Sequence, residues 1–194
     1  MKLLRSALLG LALVAHTANA QEPSQRETET FITNAYLDRP DRPHLTGQSA
    51  ELRFDGSALT AVEQEADSGT GFRNTWTRTV DLGDIGAIEL RTREAESTLR
   101  GCVPSYVRLV CAEGSCVTDH QRGNWGRMSN APDLSGRDFD TRSERSVFDL
   151  AQACDQQTIR RVGNALRHLG AIHGLDIPVL DELYDEEAVG SAFD

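Results

Sequence analysis

Hydrophobic residues along this chain change their spacing several times, and each change marks an element. From Ala50 the alternation is strict, with Ala50, Leu52 and Phe54 on one face and Glu51, Arg53 and Asp55 on the other, the period of a half-buried strand. Asp55-Gly56 is a tight-turn dipeptide, so residues 59–64 are expected to return as the partner strand, followed by a turn in Asp67-Ser68-Gly69-Thr70-Gly71. The clearest strand is 72–82, where Phe72, Trp76, Val80 and Leu82 alternate with Arg73, Thr75, Thr77 and Thr79, placing Trp76 in the expected core. Gly83-Asp84-Ile85-Gly86 turns the chain into a strand over 87–92. Residues 106–111 and 116–118, joined by Ala112-Glu113-Gly114-Ser115, read as a hairpin, and 146–150 as a further short strand.

Helical spacing shows at both ends of this region. Phe31, Ile32, Ala35 and Tyr36 predict a short helix over 29–37, capped by Thr28 or Thr30 and closed by Pro40 and Pro43. Ile159, Val162, Leu166 and Leu169 step down one side of a helix from Gln156 to about Ile172, with Asp155 as N-cap and Gly174 as its stop. Between the strands and this helix, residues 119–143 are polar, with Trp125, Met128, Leu134 and Phe139 as their only large apolar side chains, and read as a long loop. Residues 21–28 read as a flexible leader and 179–194 as an acidic tail. The expected fold is α+β: an antiparallel β-meander or roll of six to seven strands in a single domain over 29–178. A short N-terminal helix, one amphipathic C-terminal helix and two disulfides complete it.

The first twenty residues belong to a different class. Lys2 and Arg5 precede the apolar run 7–15, and Ala18-Asn19-Ala20 supplies a small-residue cleavage site, the three-part pattern of a secretory signal. The run is shorter than the roughly 20 residues that cross a bilayer, and no later segment is apolar enough to act as a membrane anchor. Residues 1–20 hold two of the 20 basic residues and none of the 30 acidic ones, so residues 21–194 carry 18 against 30, a formal charge of −12. Such a balance repels nucleic acid over most of the surface. Lys2 is the only lysine, so all eighteen later cations are arginines and Schiff-base chemistry is excluded.

An exported setting makes the four cysteines, Cys102, Cys111, Cys116 and Cys154, candidates for two disulfides. Three pairings are open. The hairpin reading opposes Cys111 to Cys116, which leaves Cys102 with Cys154; loop-closure entropy then gives roughly 2 and 4 kcal/mol respectively. No Cys-x-x-Cys is present for zinc or for redox catalysis.

The strand ending Val107-Arg108-Leu109-Val110-Cys111 with Gly114 and Cys116-Val117, then a short strand, then the helix segment Val162-Gly163-Asn164-Ala165-Leu166-Arg167-His168-Leu169-Gly170, resembles a group of uncharacterised exported bacterial proteins. The resemblance spans about 29–174 and implies a pleckstrin-homology-like β-roll closed by a C-terminal helix. It implies nothing about a ligand: the first hairpin, Arg53-Phe54-Asp55-Gly56-Ser57, sets one arginine beside an acid, so phosphoinositide binding is not carried over.

Catalytic signatures such as Gly-x-Ser-x-Gly, His-Glu-x-x-His and the phosphate-cradling loops are absent. His168 and His173 are separated by roughly 140° around a helix and do not converge on a metal. His173 suits a helix C-terminus. His168, Arg160, Asn164 and Arg167 read as a solvated flank. Asp119 and His120 are adjacent in an extended segment and point to opposite sides, which is unfavourable for joint acid–base work. The acids Asp133, Asp138, Asp140 and Glu144 do not follow the spacing of a calcium loop. The expectation is no metal, no cofactor and no catalytic residue, with Arg122, Trp125 and Arg127 as a contact patch for a protein or a small extracellular ligand. The function read from this is a non-catalytic exported binding or envelope-associated module. The alternatives are a small secreted hydrolase using carboxylates and His120, or a secreted inhibitor. N-terminal sequencing of the exported protein is expected to begin at Gln21; a product that retains Met1 through Ala20 contradicts the signal reading.

Overall fold

A computed structural model describes residues 22–37, 49–92, 103–127 and 132–183. The signal segment 1–20, Pro40, Pro43, His44, Cys102, Met128 and residues 184–194 lie outside the described residues.

Among the described residues nine strands and two α-helices form. Sheet A has five strands in the order β1 (Ser49–Asp55), β2 (Ala58–Asp67), β3 (Phe72–Asp81), β6 (Val117–Asn124) and β7 (Asp138–Arg145). Sheet B has four, in the order β8 (Val147–Ala153), β5 (Ser105–Cys111), β4 (Ile85–Thr92) and β9 (Val179–Glu182). All pairings are antiparallel except β4 with β9. The arrangement is not one meander: the chain leaves sheet A after β3, returns at β6, and leaves again after β7.

This corrects the expected hairpin of residues 106–118. β5 and β6 belong to different sheets, and the four residues between Cys111 and Cys116 turn a corner from one to the other. The disulfide between them does form, with Cα atoms 5.7 Å apart. It is the one complete disulfide among the described residues, against the two expected. Cys154 is also disulfide-bonded, and Cys102 lies outside the described residues.

The stretch 119–143 is also corrected, since its two ends, 119–124 and 138–143, lie in β6 and β7. Strand periodicity hid there because both faces of β7 are solvated and polar; Phe139 alone is half-buried. Residues 179–182 of the expected tail form β9, because each acid meets an arginine: Asp181 lies 2.8 Å from Arg160 Nε and Glu182 lies 3.0 Å from Arg91 Nη2.

Helix α1 (Gln25–Leu37) starts within the expected leader. Ser24 N–H donates to the Glu27 carboxylate at 2.8 Å and Glu27 N–H to Ser24 Oγ at 3.3 Å, a reciprocal capping box. Its buried residues Thr28, Ile32 and Tyr36 repeat every four positions, and it lies against helix α2 (Gln156–Ile172). The guanidinium of Arg161 sits 5.1 Å from the Phe31 ring, and His168 Nε2 donates to the Pro23 carbonyl at 2.8 Å, so His168 belongs to the helix contact and not to a solvated flank.

α2 is bounded as its sequence predicts. At the far end Leu175 N–H reaches the Gly170 carbonyl and Gly174 N–H the Ala171 carbonyl, a Schellman closure with Gly174 at φ 75°. Ile159, Val162, Leu166 and Leu169 are fully buried, and Gly163 lets the helix approach sheet B so closely that a Cβ there would stand 2.7 Å from Leu90 Cδ2. One hydrophobic cluster takes residues from both sheets and both helices: Ile32 and Tyr36, Leu52, Leu59 and Val80, Ile88, Leu109, Phe148 and Leu166 among them. Trp76 is half-buried outside that cluster, because the aliphatic part of β3 ends at Val80.

At the start of α2, the Asp155 carboxylate accepts from Thr158 Oγ1 at 2.6 Å and from the N–H groups of Thr158 and Gln157 at 2.9 and 3.0 Å. These bonds, the Thr158 hydroxyl first, hold its acid below the ordinary carboxylate range. A depressed folded value stabilises the fold above the unfolded one, near 3.9, and that contribution fades as pH falls through the folded value. Asp155→Ala is therefore expected to cost about 1 kcal/mol at pH 7, as N-cap losses do. The difference from the parent chain, followed by urea unfolding, is expected to narrow below about pH 4.

Candidate functional site

Strand pairing sorts the residues of sheet A onto two faces. Inward lie Leu52, Leu59, Ala61, Val80 and Val117, all buried, and further along the same face Glu63, Asn74, Trp76, Arg78, Asp119 and Gln121. The aliphatic half joins the core. In the polar half opposite charges meet. Asp119 is 4% exposed and its Oδ2 lies 2.7 Å from Arg145 Nη2 and 3.5 Å from Arg78 Nε; Arg78 Nη1 is 3.9 Å from Glu63, which accepts the Tyr36 hydroxyl at 2.7 Å. Oδ1 of Asp119 and Oδ1 of Asn74 are buried with no hydrogen-bond partner among the described residues.

The expected patch residues separate. Trp125 turns inward, its ring 4.7 Å from that of Phe139 and 6.4 Å from that of Phe72. Phe139 lies across Gly123, where a Cβ would stand 2.8 Å from the Phe139 ring and 2.0 Å from the Arg73 carbonyl. Trp125 thus fastens the end of the β6–β7 ribbon to β3. It is not a free anchor. Arg122 is exposed on the opposite, outward face, and Arg127 follows β6, where its N–H bonds the Thr70 carbonyl and ties this end to the β2–β3 turn.

His120 also points outward, opposite to Asp119, and its Nε2 lies 2.8 Å from Asp140 Oδ1. Among the described residues no serine or threonine hydroxyl hydrogen-bonds that ring. Asp138 accepts instead from Asn124, and among the described residues no group of three or more His, Cys, Asp or Glu side chains could hold a metal ion. Arg160 is engaged by Asp181, so the Arg160, Asn164 and Arg167 group is not a free anion site.

The outward face of sheet A is different in kind. Its central rows are Thr60, Thr79 and Thr118, then Val62, Thr77, His120 and Arg142, then Gln64, Thr75, Arg122 and Asp140, then Arg73, Asn124 and Asp138. No residue of these rows is buried. Arg73, Arg122 and Arg142 make no ion pair among the described residues, whereas Arg78, Arg91, Arg108, Arg145 and Arg160 do.

No protein family, curated protein or solved structure matches this chain. The site therefore rests on its own geometry. Arg73 and Arg142 were not legible as candidates from sequence, because they join Arg122 only once β3, β6 and β7 are known to be neighbours. A weak signal was present in the alternation of Thr118, His120, Arg122 and Asn124.

Removing the carboxylate at Asp119 leaves Arg78 partly buried without its nearest acid. Asp119→Ala is expected to cost about 3 kcal/mol in urea unfolding, in keeping with the loss of one partner from a buried pair. A loss below about 1 kcal/mol would show that the inward network is not structural.

Proposed function

We propose that this chain is an exported, non-catalytic binding module whose contact surface is the outward face of sheet A. The carrying observation is the contrast between its two faces. Inward charges neutralise one another in the Arg78, Asp119 and Arg145 group, whereas the outward face presents Arg73, Arg122 and Arg142, unpaired among the described residues, beside threonine hydroxyls. Paired, buried charges suit stability; exposed, unpaired ones on a rigid sheet are available to a ligand. Export enters this reading through residues 1–20 and through the cysteines, with Cys102–Cys154 as the second bridge.

A photo-cross-linking side chain placed at Thr77, in the middle of that face, is expected to give adducts when the protein is produced in its exporting cell. The same group at Tyr106, on sheet B, serves as the control. Equal labelling from both positions, or none from Thr77, overturns the assignment of the face.

A further inference from the structure

We infer that this chain pairs with a second copy of itself along the free edge of β1, joining two sheets of five strands into one of ten about a two-fold axis at Leu52. This goes beyond the reading of the outward face and does not depend on it.

Strand β1 ends sheet A, and among the described residues it pairs with β2 alone. Its register runs unbroken from Ser49 against Gln64 to Asp55 against Ala58, and the strand holds no proline, glycine or lysine. Proline, bulge and lysine, which commonly blunt an edge, are therefore all missing. The two-residue turn Gly56-Ser57 makes Asp55 and Ala58 a hydrogen-bonded pair, so Asp55, Arg53, Glu51 and Ser49 turn their backbone groups toward β2. The N–H and C=O groups of Ala50, Leu52 and Phe54 point out along the edge, where another strand can take them.

Charge protects an edge only where it repels the incoming strand, and here it attracts one of the same sequence. A two-fold axis perpendicular to the sheet keeps inward residues inward, so residues of like face meet. Centred on Leu52, the outward row sets Glu51 against the partner's Arg53, Arg53 against the partner's Glu51, and the Ser49 hydroxyl against the partner's Asp55. The inward row sets Leu52 against its own image and small Ala50 against large Phe54, both of which are half-buried in the single copy. Opposite charges directly across antiparallel strands stabilise the pairing and like charges destabilise it. Moving the axis to Glu51 or Arg53 sets like charges opposite each other, and moving it further shortens the overlap, so one register is specified. Within one copy Arg53 Nε lies 2.6 Å from Glu51 Oε1, with the two side chains 64% and 53% exposed. Pairing gives each a second partner and closes a ring of four alternating charges.

The other three edges lack this match. β7 has Phe139 as its one half-buried apolar side chain and so no apolar row to cover. β8 is opposite the register shift at Val107 and Arg108, and α1 lies against it. β9 has four residues, Val179–Glu182, with two acids and no cation. The formal charge of −10 makes two copies repel at range, but screening over about 8 Å at physiological ionic strength leaves the contact pairs to decide.

Sedimentation of the mature protein over a concentration series tests this, and a reversible dimer is expected. Arg53→Glu and Glu51→Arg, each of which sets like charges across the axis, are each expected to raise the dissociation constant about tenfold or more. The double variant Glu51→Arg, Arg53→Glu restores opposite charges in the same register and is expected to return within about threefold of the parent. The two single variants are complementary to each other, so mixing them is expected to give a mixed dimer at concentrations where neither associates alone. Arg127→Gln, away from the edge, is expected to stay within about twofold. Both substituted side chains are exposed, and thermal melting checks that each variant folds; if one single variant does not, the other decides. A monomer at concentrations up to about 1 mM overturns the inference, as does a dimer that neither single variant weakens by more than about twofold. A double variant as weak as the single ones, with no mixed dimer, overturns the register and the inference with it.

Discussion

Everything in this fold depends on one corner where the chain passes between its two sheets. Three crossings meet there. The disulfide Cys111–Cys116 joins the end of β5 to the start of β6, Cys111 N–H bonds the Ser146 carbonyl and Cys116 N–H the Arg145 carbonyl on the β7–β8 crossing, and Ala112 N–H bonds the Asp84 carbonyl on the β3–β4 crossing. Gly86 is required at this point, since a Cβ would lie 2.7 Å from Ala112 Cα. Because the crossings are bonded to one another, the corner sets how the sheets enclose Leu59, Val80, Leu109 and Val117. A small domain with a limited core gains from a covalent tie placed where three backbone segments must hold register together.

Much of this was readable from the chain where apolar spacing carries it. β1, β3 and α2 announce themselves through alternation or through a step of three and four, and the ends of α2 are written in Asp155 and Gly174. What escaped was polar. β7 has no buried side chain, the first turn of α1 depends on the Ser24–Glu27 capping box, and β9 depends on partners distant in sequence, Arg91 and Arg160. Hydrophobic periodicity is blind to each of these, since it reports burial and not pairing.

The candidate site follows the same division. Arg122 was identifiable as a cation in a polar stretch, but its companions lie on other strands, and only register brings Arg73 and Arg142 into line with it. Trp125 was misread for a related reason. A large aromatic in a polar segment invites a role at the surface, whereas Gly123 opens room on the inward side for Phe139, and Trp125 closes over the end of the sheet beside it. The two faces of one sheet therefore differ: the inward one holds the fold, and the outward one is the proposed contact surface.

The parallel strand β9 has a consequence for the order of assembly. β4 pairs with β5 on one edge, but its other edge stays open until residues 179–182 have been made and α2 has carried them back alongside. Contacts between segments so far apart close slowly, and an unsealed edge invites pairing with another chain in the meantime. Once in place, that strand is tied to its neighbours by two ion pairs, Asp181 with Arg160 on α2 and Glu182 with Arg91 on β4.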